Sequence, residues 1–192
     1  MAIFSDGGVY AKLGVRHVIN AMGNQTILGG SSPSDVVRDS MEDANGSYVE
    51  MRELLEKSGE FIAHLVGTEA AYVTAGGAAA MALSTAACMA GSDPDKILQL
   101  PDTTGLKGEI LIQQKQRYSY DRVYTFAGAD LITVGDDDGC TAEQLEAAIN
   151  PNTAAIAYFV QPDWDDSVVS LEETVRIAHQ HDVKVIADDA SQ

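Results

Sequence analysis

The chain has 192 residues, 45% of them hydrophobic and 21% charged, which is enough apolar material for one domain with a buried core. Its 29 acidic residues against 12 basic ones leave a formal charge of −17, a surface that repels phosphate backbones and argues against a nucleic-acid partner. Cys88 and Cys140 stand far apart with no Cys-x-x-Cys partner, so the sequence predicts reduced thiols and excludes a disulfide framework.

The first thirty residues are rich in turn chemistry, as in the stretch INAMGNQTILGGSSPS. A helix is predicted from near Ser34 to about Asn45, with Val36, Val37, Met41 and Ala44 on one face. A longer helix follows, in which Met51, Leu54, Leu55, Ser58, Phe61, Ile62 and Leu65 recur at helical spacing and Gly67 supplies the C-terminal cap. Residues 70–91 form an uncharged run long enough to cross a bilayer, but it is made of Ala, Gly, Ser and Thr and is broken by Ala75-Gly76-Gly77. It predicts a strand over 70–74, a tight turn and a packed helix, with no membrane association.

Strand and helix then alternate. Strands are predicted at 109–113, 131–134, 154–160 and 183–187, and helices around Tyr120–Ala127, over 142–149 and over 171–179. Thr141 with Gln144, and Ser170 with Glu173, have the spacing of capping boxes. His179 and His181 fall at a helix C-terminus, where histidine meets the last carbonyls, and no metal site is expected. This order predicts an α/β fold: a mostly parallel sheet with helices on both faces, preceded by an N-terminal loop and helices.

Ligands of open parallel sheets bind beyond the carboxyl ends of the strands. One such end is VTAGGAAA, where Gly76 and Gly77 open a helix. The glycines either let the backbone cradle a phosphate on free helix N–H groups or simply make a tight turn. A second is Asp188, a carboxylate closing a buried apolar strand. It needs a donor or cationic partner, or else caps a following helix; Asp189 beside it faces solvent. A third is QQKQRYSYDR, with Arg117 and Tyr120 just past another strand end.

In order and spacing, VINAMGNQTILGGSSPSDVV, YVEMRELLEKSGEFIAHLVGTEAAYVTAGGAAA and VKVIADDASQ resemble the fold type I pyridoxal 5′-phosphate enzymes. More narrowly they resemble the selenocysteine-synthase-like branch that includes the D-glucosaminate-6-phosphate ammonia-lyase group. The resemblance runs from about Val18 to Gln192. It implies that residues 1–67 lead into a large cofactor-binding domain beginning at 68. It implies that Gly76, Gly77 and Ala78 cradle the cofactor phosphate with help from the Thr74 hydroxyl. Asp188 would pair with the pyridine nitrogen and Ala190 would pack near the ring. Gln116 falls where related enzymes place a ring over the cofactor, a departure from the family pattern, and Arg117 and Tyr120 become substrate or phosphate contacts.

The resemblance also implies a lysine beyond the aspartate that carries the cofactor. None of the six lysines (Lys12, Lys57, Lys96, Lys107, Lys115, Lys184) follows Asp188, so the chain is expected to be the N-terminal part of a longer enzyme, inactive alone. That enzyme is expected to be a cytoplasmic homodimer or larger homo-oligomer that eliminates and deaminates an amino acid or amino sugar acid. One rival is selenium transfer onto seryl-tRNA; against it, that group's Leu-Gly-Arg motif is replaced by Leu28-Gly29-Gly30. Another is a catalytically inactive binding subunit of the same fold. With a charge of −17 and no basic stripe, the protein should not retain tRNA on a filter at physiological salt. Micromolar affinity that falls steeply with added salt would refute this.

Overall fold

The structure, a computed structural model, describes residues 8–190. The last two residues of the VKVIADDASQ motif lie outside them. The chain divides into two compact units, Met1–Glu50 and Met51–Gln192.

The described part of the first unit contains helix α1 (Gly8–Lys12), a 3-10 turn over Thr26–Leu28 and helix α2 (Asp35–Asn45). Gly29 closes the 3-10 turn in the left-handed region at φ +86°, its N–H donating to Thr26 O. Helix α2 starts one residue after Ser34 and pairs Arg38 with Asp35. Its apolar residues Val36, Val37 and Met41 stay exposed.

The second unit opens with α3 (Met51–Val66), α4 (Gly77–Ala90) and α5 (Pro94–Gln99). There follow β1 (Glu109–Gln113), β2 (Asp130–Val134), α6 (Ala142–Ala148), β3 (Thr153–Phe159), α7 (Leu171–Gln180) and β4 (Lys184–Asp188). The four strands form one sheet in the order β2-β1-β3-β4, every pairing parallel. The α/β architecture with an all-parallel sheet flanked by helices matches the sequence expectation.

Parallel strands read as unbroken apolar runs because both faces are covered. Ile110, Leu111 and Ile112 of β1 are all fully buried, each contributing roughly 1.5–3 kcal/mol of hydrophobic stabilisation. Ile110 and Ile112 pack on one face with Met81 and Met89 of α4 and with Val123 and Tyr124. Leu111 turns to the other face with Leu145 of α6 and Ile177 and Ala178 of α7. The alanine-rich α4 meets Ala154, Ala155 and Ala157 of β3, and small side chains on both sides let helix and sheet pack closely.

Three local expectations are corrected. Residues 70–74 are not a strand: β propensity makes a strand only where a neighbour supplies a ladder, and this segment has no ladder partner among the described residues. The helix predicted around Tyr120–Ala127 is a single 3-10 turn, Asp121–Thr125, ended by Gly128 at φ +96°. The Thr141–Gln144 capping box forms in full, but at Ser170 only half of one does. There the Ser170 hydroxyl accepts from Glu173 N, while the Glu173 carboxylate is taken by Arg176. Helix α5 was not anticipated, although Asp93 caps it by accepting from Asp95 N and Lys96 N and Pro94 opens it. Among the described residues no helix is long and apolar enough to cross a membrane.

Gly59 in α3 governs the approach of segment 70–74. A Cβ there would lie 2.3 Å from the Ala71 carbonyl oxygen, so α3 and the returning chain touch backbone to backbone. Helix propensity alone makes Gly→Ala stabilising by about 1 kcal/mol. The clash is against backbone, which cannot swing aside, so Gly59→Ala is expected instead to destabilise by ~1–3 kcal/mol. Urea unfolding at unchanged m-value reads the sign directly.

Candidate functional site

Parallel pairing brings the carboxyl ends of the strands to one edge of the sheet. Asp188 closes β4 there, opposite Phe159 of β3, and its backbone carbonyl accepts from Val160 N at 2.9 Å. The half-buried carboxylate has a donor at each oxygen. Oδ2 accepts from the Tyr118 hydroxyl, and Oδ1 accepts a longer bond, 3.3 Å, from Ala190 N. Ala190 and Asp189 are exposed.

Tyr118 reaches this position because the chain leaves β1 through a 3-10 turn over Gln114–Gln116. Its backbone N–H donates to Asp121 Oδ2 at 3.2 Å, an oxygen that also receives Arg117 Nε. Arg117 Nη1 donates to Thr133 Oγ1 at 2.7 Å, so the buried Asp121 carboxylate and the end of β2 are tied to the same loop. The Tyr118 ring stacks on Phe159 with centroids 4.3 Å apart and planes 6° from parallel. The Phe159 carbonyl is itself held by Trp164 Nε1 at 2.7 Å and Gln116 Nε2 at 3.2 Å. Burial, and then the bond to Asp188, push the Tyr118 phenol well above its usual range, so it stays a protonated donor at neutral pH.

The same hydroxyl lies 3.7 Å from Met81 Sδ, on the second turn of α4. From Met81 back to Gly77 the helix rises only about 6 Å. The first N–H groups of α4 have no intrahelical partners, and no side chain caps them. Gly76 stands at φ +143°, and a Cβ on Gly76 or Gly77 would meet nothing within 4 Å, which leaves the turn open on its outer side. Thr74 braces the turn: its hydroxyl donates to Gly76 O at 3.0 Å and receives Gly76 N at 3.4 Å.

Through Tyr118, Asp188 is therefore linked to the second turn of α4, the helix that starts at the open turn Thr74–Ala78. Tyr120 is exposed, with its ring edge-on to Tyr118 at 6.4 Å. Arg117 is committed to Asp121 and Thr133. Gln116 is fully enclosed, its amide spent on Phe159 O and on Gln113, so it presents no surface for a ring to stack on. The aromatic side chain beside the aspartate is Tyr118, two residues further on. It was missed because nothing local distinguishes Tyr118 from Tyr120; its partner is 70 residues away.

No family model matches the chain. D-glucosaminate-6-phosphate ammonia lyase of Salmonella typhimurium (strain 14028s / SGSC 2262) is 31% identical over 189 residues, 96% of this chain and 51% of the relative. A solved structure of D-glucosaminate-6-phosphate ammonia-lyase superposes with a TM-score of 0.90 at 30% identity, covering 96% of this chain and 52% of that one. The chain is thus homologous to about half of a D-glucosaminate-6-phosphate ammonia lyase. A second relative, the 5′-C-glycyluridine monooxygenase-decarboxylase of Streptomyces sp, is 34% identical over 190 residues, 95% of this chain and 48% of the relative. The chain thus spans about half the length of the curated relatives it matches.

Behind Tyr118, burial pushes the Tyr124 phenol up to about 12, and its contact with the Tyr118 hydroxyl only partly offsets that rise. A raised tyrosine contributes stability that is full below its unfolded value near 10 and is lost as pH rises to the folded value. Stability should therefore fall between about pH 10 and 12, with Tyr118 contributing in the same direction. Tyr124→Phe removes one of the two titrating hydroxyls, so it should flatten part of the alkaline decline. Thermal unfolding of both proteins across that pH range checks the decline and its flattening.

Proposed function

We propose that the protein is a pyridoxal 5′-phosphate-dependent lyase of the D-glucosaminate-6-phosphate ammonia-lyase type, acting on an amino acid or amino sugar acid. The observation that carries this is a strand-end carboxylate, with a lone pair of Oδ1 to spare, linked through Tyr118 and Met81 to a helix that starts at an open glycine turn. The residues fit the cofactor: an uncapped helix start suits a phosphate, and a carboxylate suits a ring N–H. Residues 68–192 form the cofactor-binding part in this reading.

The backbone N–H groups of Gly77 and Ala78 hold the phosphate, Gly76 lets it approach, and Thr74 keeps the turn in shape. Asp188 Oδ1 accepts from the protonated ring nitrogen, and Ala190 packs at the ring's edge. When bound, the cofactor supplies an electron-withdrawing ring that stabilises charge at the substrate α-carbon. Asp188 sustains that withdrawal by keeping the proton on the nitrogen. Gln116 acts from beneath by holding the end of β3. Tyr120, and the part of Arg117 that Asp121 and Thr133 leave free, face the substrate. Homo-oligomeric assembly in the cytoplasm belongs to the same reading.

The Streptomyces relative favours a second reading, an oxygen-dependent decarboxylation on the same scaffold. Ammonia and keto-acid release that is equal in air and under argon supports the lyase. Oxygen uptake matched to carbon dioxide release supports the alternative.

In the active enzyme, Asp188→Asn keeps the shape of the side chain but removes its charge. Turnover should fall ~100-fold or more, the scale of ~3 kcal/mol of lost transition-state stabilisation, and cofactor affinity should fall with it. Asp189→Asn, at an exposed position, should change either by less than ~3-fold. Steady-state kinetics with a cofactor titration decide the matter; equal losses from the two variants would remove Asp188 from the inner role.

A further inference from the structure

Asp188 could be oriented in several ways by a short side chain at the end of a strand, yet one oxygen is claimed by a side chain far away in sequence. We propose that Tyr118 is the positioning residue for this carboxylate: its phenol anchors Oδ2 and so presents Oδ1 to the ring nitrogen of the cofactor. The inference rests on the cofactor reading above and adds to it a residue that touches Asp188 rather than the chemistry.

Three features make the anchor rigid. The Tyr118 ring lies flat on Phe159 at 4.3 Å, which fixes the plane in which its hydroxyl can point. Phe159 is the strand partner of Asp188, so ring and carboxylate are referred to the same β3–β4 register. The Phe159 carbonyl takes hydrogen bonds from both Gln116 and Trp164, which holds the end of β3 in place. On the other side, Met81 closes over the hydroxyl at 3.7 Å and leaves it Asp188 as its strong acceptor. Oδ1 carries only the 3.3 Å bond from Ala190 N, and a carboxylate oxygen has two lone pairs, so one remains for an incoming N–H donor. Fixing one oxygen with a neutral donor orients the carboxylate while leaving its negative charge for the ring nitrogen.

The test separates ring-nitrogen binding from mere pocket shape. Purified protein is titrated with pyridoxamine 5′-phosphate, which needs no lysine, and with benzyl phosphate, which keeps a ring and a phosphomethyl arm but has no ring nitrogen. The comparison is repeated for Tyr118→Phe, which preserves the stack on Phe159, and for Asp188→Asn, with thermal unfolding confirming that each variant is folded. Wild-type protein should prefer the pyridine. Tyr118→Phe should lose ~10-fold in affinity for pyridoxamine 5′-phosphate, the scale of one hydrogen bond to a charged group, while benzyl phosphate changes less than ~2-fold. An equal loss for both ligands would make Tyr118 a wall of the pocket and overturn the proposal. So would an unchanged preference in Tyr118→Phe alongside a lost one in Asp188→Asn, although the cofactor reading would then stand. A wild-type protein with no preference for the pyridine would sink the cofactor reading itself, and this proposal with it.

Discussion

Parallel pairing is the constraint from which the rest of this structure follows. A parallel strand can be reached only by a crossover, so each strand of the sheet is followed by a connection that must cover one face before the next strand begins. The outcome is a central pair, β1 and β3, shielded on both sides by α4 and by α6 with α7. It also places the carboxyl ends of the strands at a common edge. Gln113, Val134, Phe159 and Asp188 come from distant parts of the chain and finish there because hydrogen-bond geometry leaves them no other place to finish.

At that edge the polar groups are organised in two tiers. Gln113 is fully buried and makes a reciprocal pair with the Val169 backbone, donating to its carbonyl at 3.1 Å and accepting from its N–H at 2.8 Å. Gln116 and Trp164 converge on the Phe159 carbonyl. These satisfied amides are expensive to disturb, because a buried group that loses its partner bears the whole desolvation penalty. They act as a floor. Above it lie Tyr118, Asp188 and the Gly76–Gly77 turn, which retain lone pairs or N–H groups not consumed by the protein. A protein with a net charge of −17 presents little long-range attraction to an anion. In the proposed reading the turn would depend on short-range backbone dipoles at the start of α4, with glycine removing the side chains that would keep a ligand away.

Much of this was legible in the sequence, where local rules and tertiary structure agree. The β1 strand carries an uninterrupted apolar run, and its limits are those that the pattern gives. The Thr141–Gln144 box is local chemistry and forms as spaced. Elsewhere a competing partner decided the outcome. Arg176 sits one turn beyond Glu173 and draws its carboxylate away from Ser170. Residues 70–74 have strand composition but no ladder to join among the described residues. At the site, Asp188 could be singled out because a charge after an apolar strand run is conspicuous, although β4 proves to be an edge strand with only Ile186 buried. Tyr118 could not, because a 3-10 turn of three residues determines which side chain after β1 faces across to β4, and tyrosines at 118 and 120 look alike until that turn is known.

Trp164 is the only tryptophan in the chain. Its indole N–H is bonded to the Phe159 carbonyl, and its ring stands edge-on to Phe159 at 6.4 Å. Phe159 in turn is stacked against the tyrosine that grips Asp188. The protein thus carries a single indole fluorophore one aromatic ring removed from the candidate site, hydrogen-bonded to the strand that bears it. Its emission colour and quantum yield depend on that hydrogen bond and on the packing of its neighbour. Excited at the red edge of protein absorption, where tyrosine does not contribute, its emission is consequently a local signal that needs no added label.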